Sequence, residues 1–90
     1  MTMPARWLLV DDDDAFRGVL ARSLARRGAI VEQAADGASA LDAAARTTPD
    51  AIVLDLKLGE DNGLALIAGL LERAPGARLV LATGYASIPT

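Results

Sequence analysis

Four carboxylates in a row, Asp11-Asp12-Asp13-Asp14, follow the apolar run "WLLV" without a spacer. Asp55 stands near the end of a second apolar run, "DAIVLDL" (50–56), and Thr83 ends a third, "ARLVLAT" (77–83). Carboxylates packed together raise one another's pKa unless a cation relieves the repulsion. Ligation by oxygen alone favours a hard cation, Mg2+ above all, which keeps several waters and takes one or two carboxylates. A carboxylate beside Mg2+ can also act as a nucleophile and form an aspartyl phosphate. The metal and a hydroxyl would then stabilise charge on the transferring phosphoryl oxygens. The chain has no cysteine and no histidine. That argues against thiolate chemistry, zinc sites and histidine acid–base catalysis.

Blander roles compete for the same residues. Asp13 or Asp14 can cap a following helix, whose N-terminal end favours carboxylates. Asp36, Asp42, Asp50 and Glu72 read as solvated or turn residues, and Asn62-Gly63 as a tight turn before a helix. Asp55 alone is ambiguous. Its coincidence with Asp11-Asp12 and Thr83 at the ends of separate apolar runs favours a joint site. A calcium loop of the EF-hand kind fails, because no glutamate closes the twelve-residue frame after Asp11 or Asp13. A small Mg2+-dependent aspartyl phosphatase would want an Asp-x-Asp pair and a lysine on a later strand. The acidic run contains the pair, but Lys57, the only lysine, is not so placed.

The elements that must position these groups alternate along the chain. "RWLLV" (6–10) suits a strand buried on both faces. Phe16, Leu20 and Leu24 recur at helical spacing, and Arg26-Arg27-Gly28 supply a stop. "AIVEQA" (29–34) mixes apolar and polar residues, as an edge strand would. "ASALDAAARTT" (38–48) predicts an alanine-rich helix that ends near Pro49. The run 50–56 predicts a strand, 57–63 a loop, and 64–74 a helix broken by Pro75-Gly76. The last strand spans 77–83. This β-α-β-α-β-α-β order predicts an α/β fold, a parallel sheet with helices on both faces. In such sheets ligands bind beyond the carboxyl ends of the strands. If the first, third and fourth strands are neighbours, three carboxylates and one hydroxyl converge there.

Ninety residues allow one small domain, with 52% hydrophobic residues but 3% aromatic. Its core must be aliphatic and alanine-packed. The net charge is −3 and the basic residues are scattered, so no nucleic-acid footprint is expected. No apolar run approaches the roughly 20 residues of a membrane span, and no signal peptide is visible. A soluble, cytoplasmic protein is expected.

The pieces "LLVDDDDAFR" (8–17), "PDAIVLDLKLGEDNGLALI" (49–67) and "LVLATGY" (79–85) resemble the receiver domain of two-component response regulators. The stretch "DLKLGEDNGL" with "ATGYASI" is similar to redox-responsive regulators of proteobacteria. The resemblance implies a flavodoxin-like sheet of order 2-1-3-4, and a signalling module rather than an enzyme. It implies that Asp55 is the phosphoacceptor for a sensor histidine kinase. Asp12 would ligate Mg2+ directly and Asp11 through water, with Asp55 and the backbone carbonyl of Lys57 completing the protein's share. Thr83 would hydrogen-bond the phosphoryl group. Residues 1–90 are expected to be a receiver truncated after its fourth strand, with the fifth βα unit and its lysine absent. An exposed fourth-strand edge would then invite self-association, and an interaction remnant that takes no phosphate is the alternative.

Overall fold

A computed structural model of the chain describes residues 5–55 and 63–82. The elements are β1 (Arg6–Val10), α1 (Asp14–Arg26), β2 (Ile30–Ala34), α2 (Gly37–Thr47), β3 (Ala51–Asp55), α3 (Gly63–Arg73) and β4 (Arg78–Ala82). All strand pairs are parallel, in the order β2-β1-β3-β4. The chain steps from β1 to β2 in one direction, then back across β1 to β3 and on to β4. Right-handed crossovers in opposite directions place their helices on opposite faces. Accordingly α2 and α3 share a core with the sheet that α1 does not enter.

Burial follows position in the sheet. The central strands β1 and β3 carry Leu8, Leu9, Val10, Ile52 and Leu54, each at most 1% exposed. A strand covered on both faces has no polar side to display, hence the continuous apolar runs. β2 lies at an edge and accommodates Glu32 and Gln33. β4 is the other edge among the described residues, with Val80 and Leu81 half exposed.

Small side chains let the helices come close. Ala40, Ala43 and Ala44 of α2 pack on Leu8, Val10, Ile52 and Leu54, joined by Leu70 of α3. Gly69 of α3 faces α2, and a Cβ there would stand 2.9 Å from Leu41 Cδ2. The aromatic-poor composition is thus matched by a thin interface between helix and sheet.

Local signals set the helix ends. Asp13 is the N-cap of α1, its Oδ1 accepting from Phe16 N–H at 3.0 Å, which settles the choice between Asp13 and Asp14. Asp36 caps α2 by accepting from Ser39 N–H at 2.8 Å, a role beyond the simple turn expected of it. α1 closes with Gly28 at φ 92°, where Gly28 N–H donates to Ala25 O and Ala29 N–H to Leu24 O. That pair of bonds is the Schellman arrangement, and the positive φ accounts for a glycine at this point.

Thr48 caps α2 less comfortably, at φ 42°. A β-branched residue there costs about 1–2 kcal/mol. Thr48→Gly removes that strain but frees the unfolded chain by about 0.4–1 kcal/mol. A net gain of about 0.5–1 kcal/mol is expected, read as a melting temperature a few degrees higher. A lower value would show that the Thr48 hydroxyl, which donates to Thr47 O, outweighs the strain.

Asp50 does more than lead into β3. Its Oδ2 accepts from Arg6 N–H at 2.8 Å, and its own N–H donates to Arg6 O at 2.7 Å. Its carbonyl accepts from Arg78 N–H at 2.9 Å. One residue therefore aligns the starts of β1, β3 and β4, and the register it helps set carries through to their far ends.

Candidate functional site

That register pairs Val10 with Leu54, so Asp11 leaves β1 level with Asp55 at the end of β3. The chain reverses direction in the sheet between these two strands, β1 leading outward to β2 and β3 to β4. Such switch points open a crevice beyond the strand ends. Asp11, Asp12 and Asp55 each place a carboxylate oxygen there, all within 4.8 Å of one another. Asp55 lies deepest at 7% exposure, Asp11 is intermediate and Asp12 is exposed.

Backbone contacts hold the acidic turn. Asp11 N–H donates to Ala34 O of β2 at 3.1 Å. Asp13 N–H donates to Asp11 Oδ1 at 2.8 Å, bending the chain into α1. Asp13 and Asp14 turn to the helix, Asp14 pairing with Arg17 at 2.6 Å. Asp42 and Glu72 lie on solvated helix surface beside Arg46 and Arg73.

Burial pushes the Asp11 carboxyl above its ordinary pKa, and the charges of Asp55, Asp12 and Asp13 push it further, against the opposing hydrogen bond from Asp13 N–H. Three hard oxygen donors that repel one another fit a divalent cation such as Mg2+ or Ca2+.

Thr83 and Lys57 lie outside the described residues. Thr83 directly follows Ala82, which is paired in register with Asp55.

Arg17 escaped the sequence reading. Its guanidinium donates to the Asp11 carbonyl, to Gln33 Oε1 at 3.0 Å and to Asp14 Oδ1. Its spacing of three from Asp14 was a visible signal for the ion pair alone.

The family model for the response regulator receiver domain matches residues 7–90. The chain belongs to the response regulator receiver domain family. Receiver domains are signalling modules of two-component systems. This receiver is 42% identical over 83 residues to the photosynthetic apparatus regulatory protein RegA of Rhodobacter capsulatus, covering 92% of the chain and 45% of RegA. The chain thus spans less than half the length of that curated relative. A crystal structure of a response regulator from Burkholderia pseudomallei, with a phosphorylated aspartic acid, a calcium ion and citrate, superposes with a TM-score of 0.83 at 46% identity. It covers 93% of this receiver, which spans 49% of that chain. The receiver domain of a sensor histidine kinase from Pseudomonas aeruginosa, with magnesium coordinated in its active site cleft, gives 0.77 at 27% identity. There the overlap is 93% of this chain and 70% of the other. Among the described residues no helix is long and apolar enough to cross a membrane.

Proposed function

We propose that Asp55 accepts a phosphoryl group from a sensor histidine kinase while Asp11, Asp12 and Asp55 hold Mg2+. The observation that carries this reading is the meeting of the three carboxylates at the β1/β3 switch point, with Asp55 the most buried. The phosphorylated aspartic acid of the Burkholderia relative supports it.

In the transfer, an Asp55 oxygen forms a bond to phosphorus. The nitrogen–phosphorus bond of the donor phosphohistidine breaks, and its electron pair stays on the imidazole, which takes up a proton. The product is a mixed anhydride of a carboxylic and a phosphoric acid. Mg2+ would neutralise charge on the phosphoryl oxygens. The backbone carbonyl of Lys57 is assigned as a further metal ligand, and the Thr83 hydroxyl as a hydrogen-bond donor to the phosphoryl group. Placement at the end of β3 keeps Asp55 largely away from bulk water, which protects the anhydride from hydrolysis.

Incubation with acetyl phosphate and Mg2+ should phosphorylate the protein once. The label should be released by hydroxylamine, which cleaves acyl phosphates, and should not form when EDTA removes the cation. No labelling by acetyl phosphate or by any kinase-borne phosphohistidine would overturn the reading.

A further inference from the structure

We infer that Arg17 is a positioning residue: it sets how tightly the carboxylate cluster takes a divalent cation by holding the Asp11 peptide in place. The inference rests on the cation-binding reading of that cluster and goes beyond it, to a residue that donates no ligand atom.

The Arg17 side chain leaves α1 and is only 13% exposed. Its three hydrogen bonds run to three separate segments. Nη1 reaches the Asp11 carbonyl at the end of β1, Nε reaches Gln33 on β2, and Nη2 reaches Asp14 in the first turn of α1. The preceding peptide is tied to β2, Asp11 N–H donating to Ala34 O. Asp11 is therefore gripped at both backbone polar atoms, and its Oδ1 is bonded to Asp13 N–H. The neighbouring Asp12 hangs from the same peptide.

The guanidinium addresses the carbonyl of Asp11, a neutral acceptor. Its function at this place is geometric. A planar fork with five donors can serve three acceptors at fixed angles, and a lysine ammonium cannot. Residues that orient metal ligands without touching the metal typically change affinity by about 10–100-fold when removed.

The experiment is calorimetric titration of the metal-free protein with Mg2+, together with thermal melting without the ion. Arg17→Met keeps the length and loses the donors. Arg17→Lys keeps the charge and one donor centre. The Met variant should bind Mg2+ at least about tenfold more weakly than the parent, with the Lys variant in between or equally weak. Should the Met variant fail to fold, a weaker Kd in the Lys variant carries the same conclusion. An unchanged Kd with a lowered melting temperature would reduce Arg17 to a brace for the fold. A tighter Kd would show that its positive charge merely opposes the cation, and either result overturns the inference. No Mg2+ binding by the parent would overturn the metal reading itself, and parent binding matched by both variants overturns the positioning role alone.

Discussion

Replacing Asp55 with asparagine is expected to bring phosphoryl uptake from acetyl phosphate down to background while the protein stays folded. The two side chains have the same shape, so the crevice at the ends of β1 and β3 keeps its form. What changes is the nucleophile. A carboxylate oxygen carries the charge that attacks phosphorus, whereas the neutral amide oxygen is a poor nucleophile. Two effects on stability oppose each other. Removing one of three carboxylates within 4.8 Å relieves repulsion. Burying an amide at a site 7% exposed adds donors that need partners. The melting temperature should stay within a few degrees of the parent. Intact-mass measurement after acetyl phosphate treatment reads the first effect and calorimetry the second. Equal labelling of parent and variant would move the acceptor to another residue, Asp11 and Asp12 being the other carboxylates of the cluster.

The second large effect is stabilisation of the fold by a divalent cation, and its size should depend on pH. At an ion concentration ten times Kd, binding to the native state alone adds about 1.4 kcal/mol. For a domain of this size that is a rise in melting temperature of about 6–11 °C. The pH dependence follows from Asp11, whose carboxyl is raised by burial and then by the charges of Asp55, Asp12 and Asp13. Between the ordinary carboxylate value and the raised one, the native state holds more protons than the unfolded state. Without cation, stability therefore falls as pH rises through that window. A cation competes with the same proton, so its benefit should be small below the window and full above it. Asp11→Asn should flatten the fall and shrink the gain from the ion.

Asp36 supplies an internal contrast. Its carboxyl is held below the ordinary value by the Ser39 hydroxyl and then by Ser39 N–H. The stability of that cap is present above the ordinary value and is lost as pH falls through the lowered one. The two windows lie on opposite sides of the ordinary carboxylate value, so melting curves over the acidic range separate them. A cation effect as large below the Asp11 window as above it would contradict the competition.

Much of this was legible along the chain because it is local. Central strands announce themselves as unbroken apolar runs when both faces are covered, as with Leu8–Val10 and Ile52–Leu54. The mixed character of 29–34 marked β2 as an edge strand, which it is among the described residues. Strand and helix limits moved by about a residue, since the final turn or pair depends on hydrogen bonds that the sequence does not display. The cap of α1 stayed open between Asp13 and Asp14, because both have a carboxylate and only backbone angles choose between them.

Some contacts between distant segments were invisible. Arg6 and Asp50 are 44 residues apart, and Arg17 and Gln33 are 16 apart. Nothing in the type or spacing of Asp50 distinguishes a residue that aligns three strands from one that merely precedes a strand. Likewise Arg17 shares its helix face with Leu20, Ala21 and Leu24, and nothing in that spacing names the Asp11 carbonyl or Gln33 as its partners.

The sequence by itself determined that carboxylates end two strands of a parallel sheet, and that oxygen-only chemistry with a hard cation is what they could do. Those facts depend on residue type and periodicity, which are local and one-dimensional. Residue types and spacing left the neighbours of β1 open, and the order 2-1-3-4 came only from the receiver resemblance. The tertiary structure bears that order out and sets Asp11 level with Asp55, which turns separate acidic residues into a cluster within 4.8 Å. Strand order and register arise from crossover handedness, from core packing and from long-range bonds such as those of Asp50, and each of these joins residues that the chain keeps apart.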